Sequence, residues 1–101
     1  MNVTTVPNEN VWTIVVAAGS GARFGGPKQF SMLGDRRVLD WSVETAGSSS
    51  TGVVVVLPAA DAEREGGVAG GETRSESVRC GLAAVPEEAT IICVHDAARP
   101  F

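Results

Sequence analysis

Gly19, Gly21, Gly25 and Gly26 crowd into one short stretch that also carries Arg23 and Lys28. Glycine gives up its side chain, so the backbone N–H groups of such a loop can approach a ligand closely. The two cations indicate a polyanion. The working expectation is a nucleotide triphosphate, which needs backbone donors and fixed positive charge together. From Val11 to Gly34 there is no acidic residue, whereas most of the acids lie between Asp35 and Glu88. The positive charge is therefore local, set in a chain whose net charge is −4.

Two familiar phosphate loops do not fit. The dinucleotide fingerprint GxGxxG begins at Gly19-Ser20-Gly21 and fails at Phe24, where the third glycine belongs. The GxxxxGK[ST] loop fails because Pro27 separates Gly26 from Lys28 and Gln29 replaces the metal-binding hydroxyl. What remains is a glycine loop with an arginine inside it and a lysine just beyond. The plain alternative is a glycine-rich surface turn with two solvated cations.

Two further clusters could do chemistry. Asp96 follows an apolar run, and a carboxylate there can hold Mg²⁺, because hard cations prefer oxygen ligands. Arg99 is close enough in sequence to pair with a phosphate or with Asp96; otherwise this is a turn in which Asp96 caps backbone amides. His95, the single histidine, has no companion at metal-ligand spacing and reads as packing or hydrogen bonding. Gly70-Gly71-Glu72 precedes Thr73-Arg74-Ser75-Glu76, which has capping-box spacing. Free N–H groups at that helix start could read a nucleobase edge, or the segment is an ordinary capped helix.

The elements that would position these clusters alternate. Val11–Val16 is short, β-branched and continuously apolar, as expected of a strand buried on both faces. Leu39, Val43 and Ala46 predict a helix over about Val38–Ala46, with Asp35 or Asp40 as its cap. Val53–Leu57 is a second buried strand, stopped by Pro58. One or two helical turns follow at Asp61–Glu65, with a short strand at Val68-Ala69. Val78, Leu82 and Val85 share a helix face that ends before Pro86, and Thr90–Val94 predicts a third buried strand. Strands alternating with helices mean a parallel sheet with right-handed crossovers, and ligands bind beyond the carboxyl ends of its strands.

Composition narrows the class. The chain has 101 residues, 44% apolar and 20% charged, which suits one small domain or part of a larger one. Its acidic balance argues against a general nucleic-acid or membrane-surface binder. No apolar run approaches the ~20 residues of a membrane span, and Met1–Asn10 lacks a signal-peptide layout. Cys80 and Cys93 read as buried thiols, in keeping with a reducing cytoplasm.

In order along the chain, AAGSGARFGGPKQF, GGETRSESVRCGL and VHDAARPF resemble the 2-C-methyl-D-erythritol 4-phosphate cytidylyltransferases. VHDAARP is the most specific piece; the related ribitol-5-phosphate cytidylyltransferases tend to alter its middle. The resemblance covers about Ile14–Phe101. It implies a Rossmann-like three-layer α/β/α nucleotidyltransferase fold with a mostly parallel sheet, and transfer of CMP from CTP to the alditol phosphate with Mg²⁺. It places Ala17, Ala18, Gly19 and Gly21 along the nucleotide and Arg23 and Lys28, the catalytic pair, on the triphosphate. It places Gly71, Glu72 and Ser77 around the cytosine, Asp96 on the metal, Ala97 near the ribose and Arg99 in support. Val16 stands where the family usually has proline. Family members run to more than twice this length and dimerise. Residues 1–101 therefore read as a truncated, N-terminal CTP-binding portion, with an uncovered sheet edge and without full activity alone. The competing readings are another sugar- or alditol-phosphate nucleotidyltransferase and a non-catalytic CTP-binding module.

Overall fold

A computed structural model describes residues 10–18 and 30–97. The first element is β1 (Val11–Val16), as expected. Next comes a hairpin that the sequence reading left out, β2 (Met32–Leu33) and β3 (Arg36–Arg37), turning at Gly34-Asp35 with Gly34 at φ +73°. The chain then alternates through α1 (Val38–Gly47), β4 (Gly52–Leu57), α2 (Ala59–Glu65), β5 (Val68–Ala69), α3 (Arg74–Ala84) and β6 (Ile91–Asp96). The cap of α1 differs from expectation. Arg37 is its N-cap residue, and Asp40 sits in the first turn, its carboxylate accepting the Arg37 backbone N–H at 3.3 Å.

The four longer-range strands form one parallel sheet in the order β5-β4-β1-β6. Continuous apolar runs are what such a sheet needs, because helices cover both faces. On one face Val15, Ala17 and Leu57 pack against Leu39 and Ala46 of α1 and Ala62 of α2. On the other, Ile14, Val16, Val54 and Val56 receive Val78 and Val85 from α3 and its end. The result is the three-layer α/β/α arrangement expected.

Two readings are corrected. The inner face of α3 is Ser77 and Gly81, while Leu82 is 42% exposed. A side chain added at Gly81 would come within 2.6 Å of Ile14 Cγ2, so the helix lies too close to the sheet for a larger residue. Among the described residues β6 is paired on one side only, to β1, and Ile91, Ile92 and Val94 are each over 40% exposed. An apolar run reports a propensity to be covered, and among the described residues nothing covers the outer side of this strand. Cys93, on β6, is accordingly exposed and Cys80 only partly buried. Among the described residues no helix is long and apolar enough to cross a membrane.

Arg37 ties α1 to α2. Its guanidinium donates to both Asp40 oxygens at 3.0 and 2.9 Å and to both Glu65 oxygens at 3.0 Å, over the Phe30 ring. These hydrogen bonds hold the Asp40 and Glu65 carboxyls below their ordinary values and raise Arg37 further above neutrality. A lowered folded-state carboxylate value stabilises the fold above the unfolded value, about pH 4 for these groups, and the gain is lost as pH falls further. Replacing Arg37 by Met should therefore cost a constant amount of stability from pH 7 down to about 5. The cost should shrink below about pH 4. Thermal unfolding of both proteins from pH 7 to 3 measures this, and a pH-independent gap would show that Arg37 acts by packing alone.

Candidate functional site

The sheet order changes direction at β1. From β1 the chain moves to β4 and β5 on one side, then crosses back to place β6 on the other. In open parallel sheets a crevice forms at such a point, outside the carboxyl ends of the strands. Val16 and Asp96 are register partners there. Ala97 donates its N–H to the Val16 carbonyl at 2.9 Å, and Ala17 donates to the Val56 carbonyl at 2.7 Å. Ala17 is buried toward α1 and Ala18 half-buried toward α3, so the chain leaves β1 directly at the crevice.

The Gly70–Ser77 segment closes against the same exit. Gly70 donates to the Leu57 carbonyl at 2.8 Å. A Cβ on Gly70 would meet Ala18 Cβ at 2.6 Å and Ser77 Oγ at 2.7 Å, so only glycine lets these three backbones converge. Gly71 donates its N–H to Ser77 Oγ at 3.2 Å. The capping box is fully formed. Thr73 Oγ1 accepts the Glu76 N–H at 3.1 Å, and Glu76 Oε1 accepts those of Glu72 and Thr73 at 2.8 and 3.1 Å. Of the two readings of this segment, the capped helix start is formed: the N–H groups of Gly71, Glu72 and Thr73 are held by Ser77 and Glu76. The box satisfies the helix's own orphan donors first.

Two residues missed from sequence hold the β6 end. Ser42, fully buried on α1, donates its hydroxyl to the Ala97 carbonyl at 2.8 Å across 55 positions of sequence. Its signal was present, since Leu39, Ser42 and Ala46 form the buried stripe of α1. Arg74, the first residue of α3, pairs through Nε with Asp96 Oδ1 at 3.2 Å. His95 Nε2 is buried and makes no hydrogen bond among the described residues. Hence of the sequence-predicted residues, Ala17, Ala18, Gly71, Glu72, Ser77, Asp96 and Ala97 lie along one end of the sheet. Gly19, Gly21, Arg23, Lys28 and Arg99 lie outside the described residues.

A metal would find limited but suitable chemistry. Among the described residues no three acidic, histidine or cysteine side chains form a metal-binding group. Asp96 offers a carboxylate at the crevice that already carries a cationic partner. One carboxylate suits a hard divalent ion that keeps its waters and takes its remaining ligands from phosphates.

A mostly parallel three-layer α/β/α sheet whose strand order reverses at β1, with a carboxylate at the end of the neighbouring strand, is a doubly wound α/β fold. The chain belongs to the 2-C-methyl-D-erythritol 4-phosphate cytidylyltransferase family, whose sequence profile matches residues 11–101. It is 42% identical over 104 residues to the bifunctional enzyme IspD/IspF of Dinoroseobacter shibae, covering 90% of this chain and 26% of that one. It is 37% identical over 108 residues to the 2-C-methyl-D-erythritol 4-phosphate cytidylyltransferase of Xanthomonas axonopodis pv. citri, covering 90% and 41%. Among solved structures, the 4-diphosphocytidyl-2C-methyl-D-erythritol synthase of Anaerococcus prevotii superposes with a TM-score of 0.76 at 25% identity, over 93% of this chain and 46% of that one. The Mycobacterium tuberculosis protein Rv0371c gives 0.78 at 26% identity, over 92% and 53%. The chain therefore spans well under half the length of these curated relatives and about half that of the solved chains.

Removing the Ser42 hydroxyl leaves the buried Ala97 carbonyl without its donor. Ser42→Ala should lower unfolding free energy by about 1–3 kcal/mol, the cost of an unsatisfied buried polar group. Urea denaturation measures it, and a neutral result would mean that the carbonyl finds another partner.

Proposed function

We propose that this chain is the N-terminal, CTP-binding part of a cytidylyltransferase that transfers CMP from CTP to 2-C-methyl-D-erythritol 4-phosphate and releases pyrophosphate. The observation that carries the proposal is the convergence of Ala18, Gly70 and Ser77 beside the Val16–Asp96 pair, at the strand ends where such folds bind ligands. Membership of the family supports the substrate pair.

The roles follow chemical type. Ala17, Ala18, Gly19 and Gly21 line the nucleotide, where small residues allow backbone approach. Arg23 and Lys28 neutralise the triphosphate. Gly71, Glu72 and Ser77 border the cytosine; the amides of Gly71 and Glu72 are bonded to Ser77 and Glu76. Ala97 adjoins the ribose and Arg99 backs the site. Asp96 is the residue that would hold Mg²⁺, which supplies positive charge across the phosphate oxygens when bound. The substrate phosphate oxygen attacks the α-phosphorus in line. Little proton transfer is needed, so positioning and charge stabilisation do the catalysis. The full-length protein is proposed to be a cytoplasmic homodimer that binds neither nucleic acid nor membrane.

Because the matched relatives are much longer, a second reading holds for residues 1–101 alone: binding of CTP and Mg²⁺ without turnover. Pyrophosphate release from CTP in the full-length protein distinguishes the substrates. It should require methylerythritol phosphate, and release with ribitol phosphate instead would reassign the acceptor. Lys28→Ala should lower turnover by ~10²-fold or more, the scale for losing one preorganised electrostatic donor. A near-unchanged rate would remove Lys28 from the catalytic pair.

A further inference from the structure

Among the described residues, Arg74 is the one whose side chain pairs with Asp96. Its position is built by both elements. Asp96 shares register with Val16, whose side chain belongs to the α3 side of the sheet, and Arg74 opens α3 on that side. The two meet across 22 positions of sequence. We propose that Arg74 is a positioning residue that holds the Asp96 carboxylate while no metal is bound and yields it to the divalent cation. The proposal rests on Asp96 being the metal-binding carboxylate.

Three observations support an exchangeable contact. First, the guanidinium is placed where a cation is needed, and it occupies Oδ1 of a carboxylate with only two oxygens. A metal ion arriving there meets both a used lone pair and a like charge. Second, the pair is open to water, with side chains 60% and 40% exposed. Exposed ion pairs contribute little and part readily. Third, the contact differs from the ion pairs around Arg37, which hold that guanidinium from two carboxylates at once. Arg74 uses only Nε toward one acidic partner among the described residues.

The exchange has a consequence for order of binding. A metal ion alone must displace Arg74 for the sake of one carboxylate. A metal ion bearing a polyphosphate brings its other ligands along, and the freed guanidinium keeps a planar fork of donors suited to phosphate oxygens. Arg74 would thus bias the site toward the metal–nucleotide complex over the bare ion.

Mn²⁺ alone, titrated into the full-length protein without nucleotide and followed by electron paramagnetic resonance, tests this. Arg74→Ala should tighten Mn²⁺ binding about two- to fivefold, the range an exposed ion pair represents. Arg74→Lys should stay near wild type, and the gain should vanish when Asp96→Asn is added. Arg74→Gln repeats the test should the alanine variant not fold. If Asp96→Asn weakens Mn²⁺ binding but Arg74→Ala and Arg74→Gln leave it unchanged or weaken it, Arg74 is a structural tether and the inference is overturned while the metal role stands. If Asp96→Asn leaves Mn²⁺ binding unchanged, both fall together.

Discussion

The rest of the site depends on one seam, the parallel pairing of β1 with β6. It runs from Val11 opposite Ile91 to Val16 opposite Asp96, and the Ala97 N–H closes it onto the Val16 carbonyl. Without that seam β1 would be an edge, the sheet would have no reversal of order, and the Val16–Asp96 pair would not exist. Every other site element attaches to one of its two strands. Ala17 and Ala18 continue β1. Gly70 and Ser77 pack on Ala18. Ser42 fixes the carbonyl that follows β6, and Arg74 reaches its last carboxylate. Backbone geometry thus gathers these residues at one end of the sheet before any charged side chain is considered.

Much of this was legible from local pattern, because local pattern reports local physics. The β-branched run of Val11–Val16 and the Thr73/Glu76 spacing describe interactions that span a few residues, and both appear as read. The Gly34-Asp35 hairpin had a signal too, a glycine at a turn needing positive φ, but strands of two residues are too short to show alternation. Leu82 was misplaced because α3 lies so close at Gly81 that the packed face turns away from the larger residue.

What could not be read were the long-range partners. Nothing near Ser42 in sequence says that its hydroxyl will meet Ala97, and nothing near Arg74 points to Asp96. Those contacts exist only once α1 and α3 have been laid on opposite faces of the sheet. The same limit explains β6. TIICV is apolar enough for a fully buried strand, yet burial is a property of neighbours, and among the described residues β6 has a strand on one side alone. Likewise composition did not show that the donors at Gly71 and Glu72 are taken, the first by the Ser77 hydroxyl and the second by the Glu76 carboxylate.

The exposed β6 has a dynamic consequence. Edge elements with few covering contacts open at lower free energy than central strands. Among the described residues β5 and β6 are the two outer strands, and β6 is the one that ends in Asp96. A ligand that binds only when β6 is paired with β1 would protect that strand by mass action. Amide exchange along Ile91–Asp96 would then report occupancy of the site from residues that never touch the ligand, with the central β1 as an internal standard.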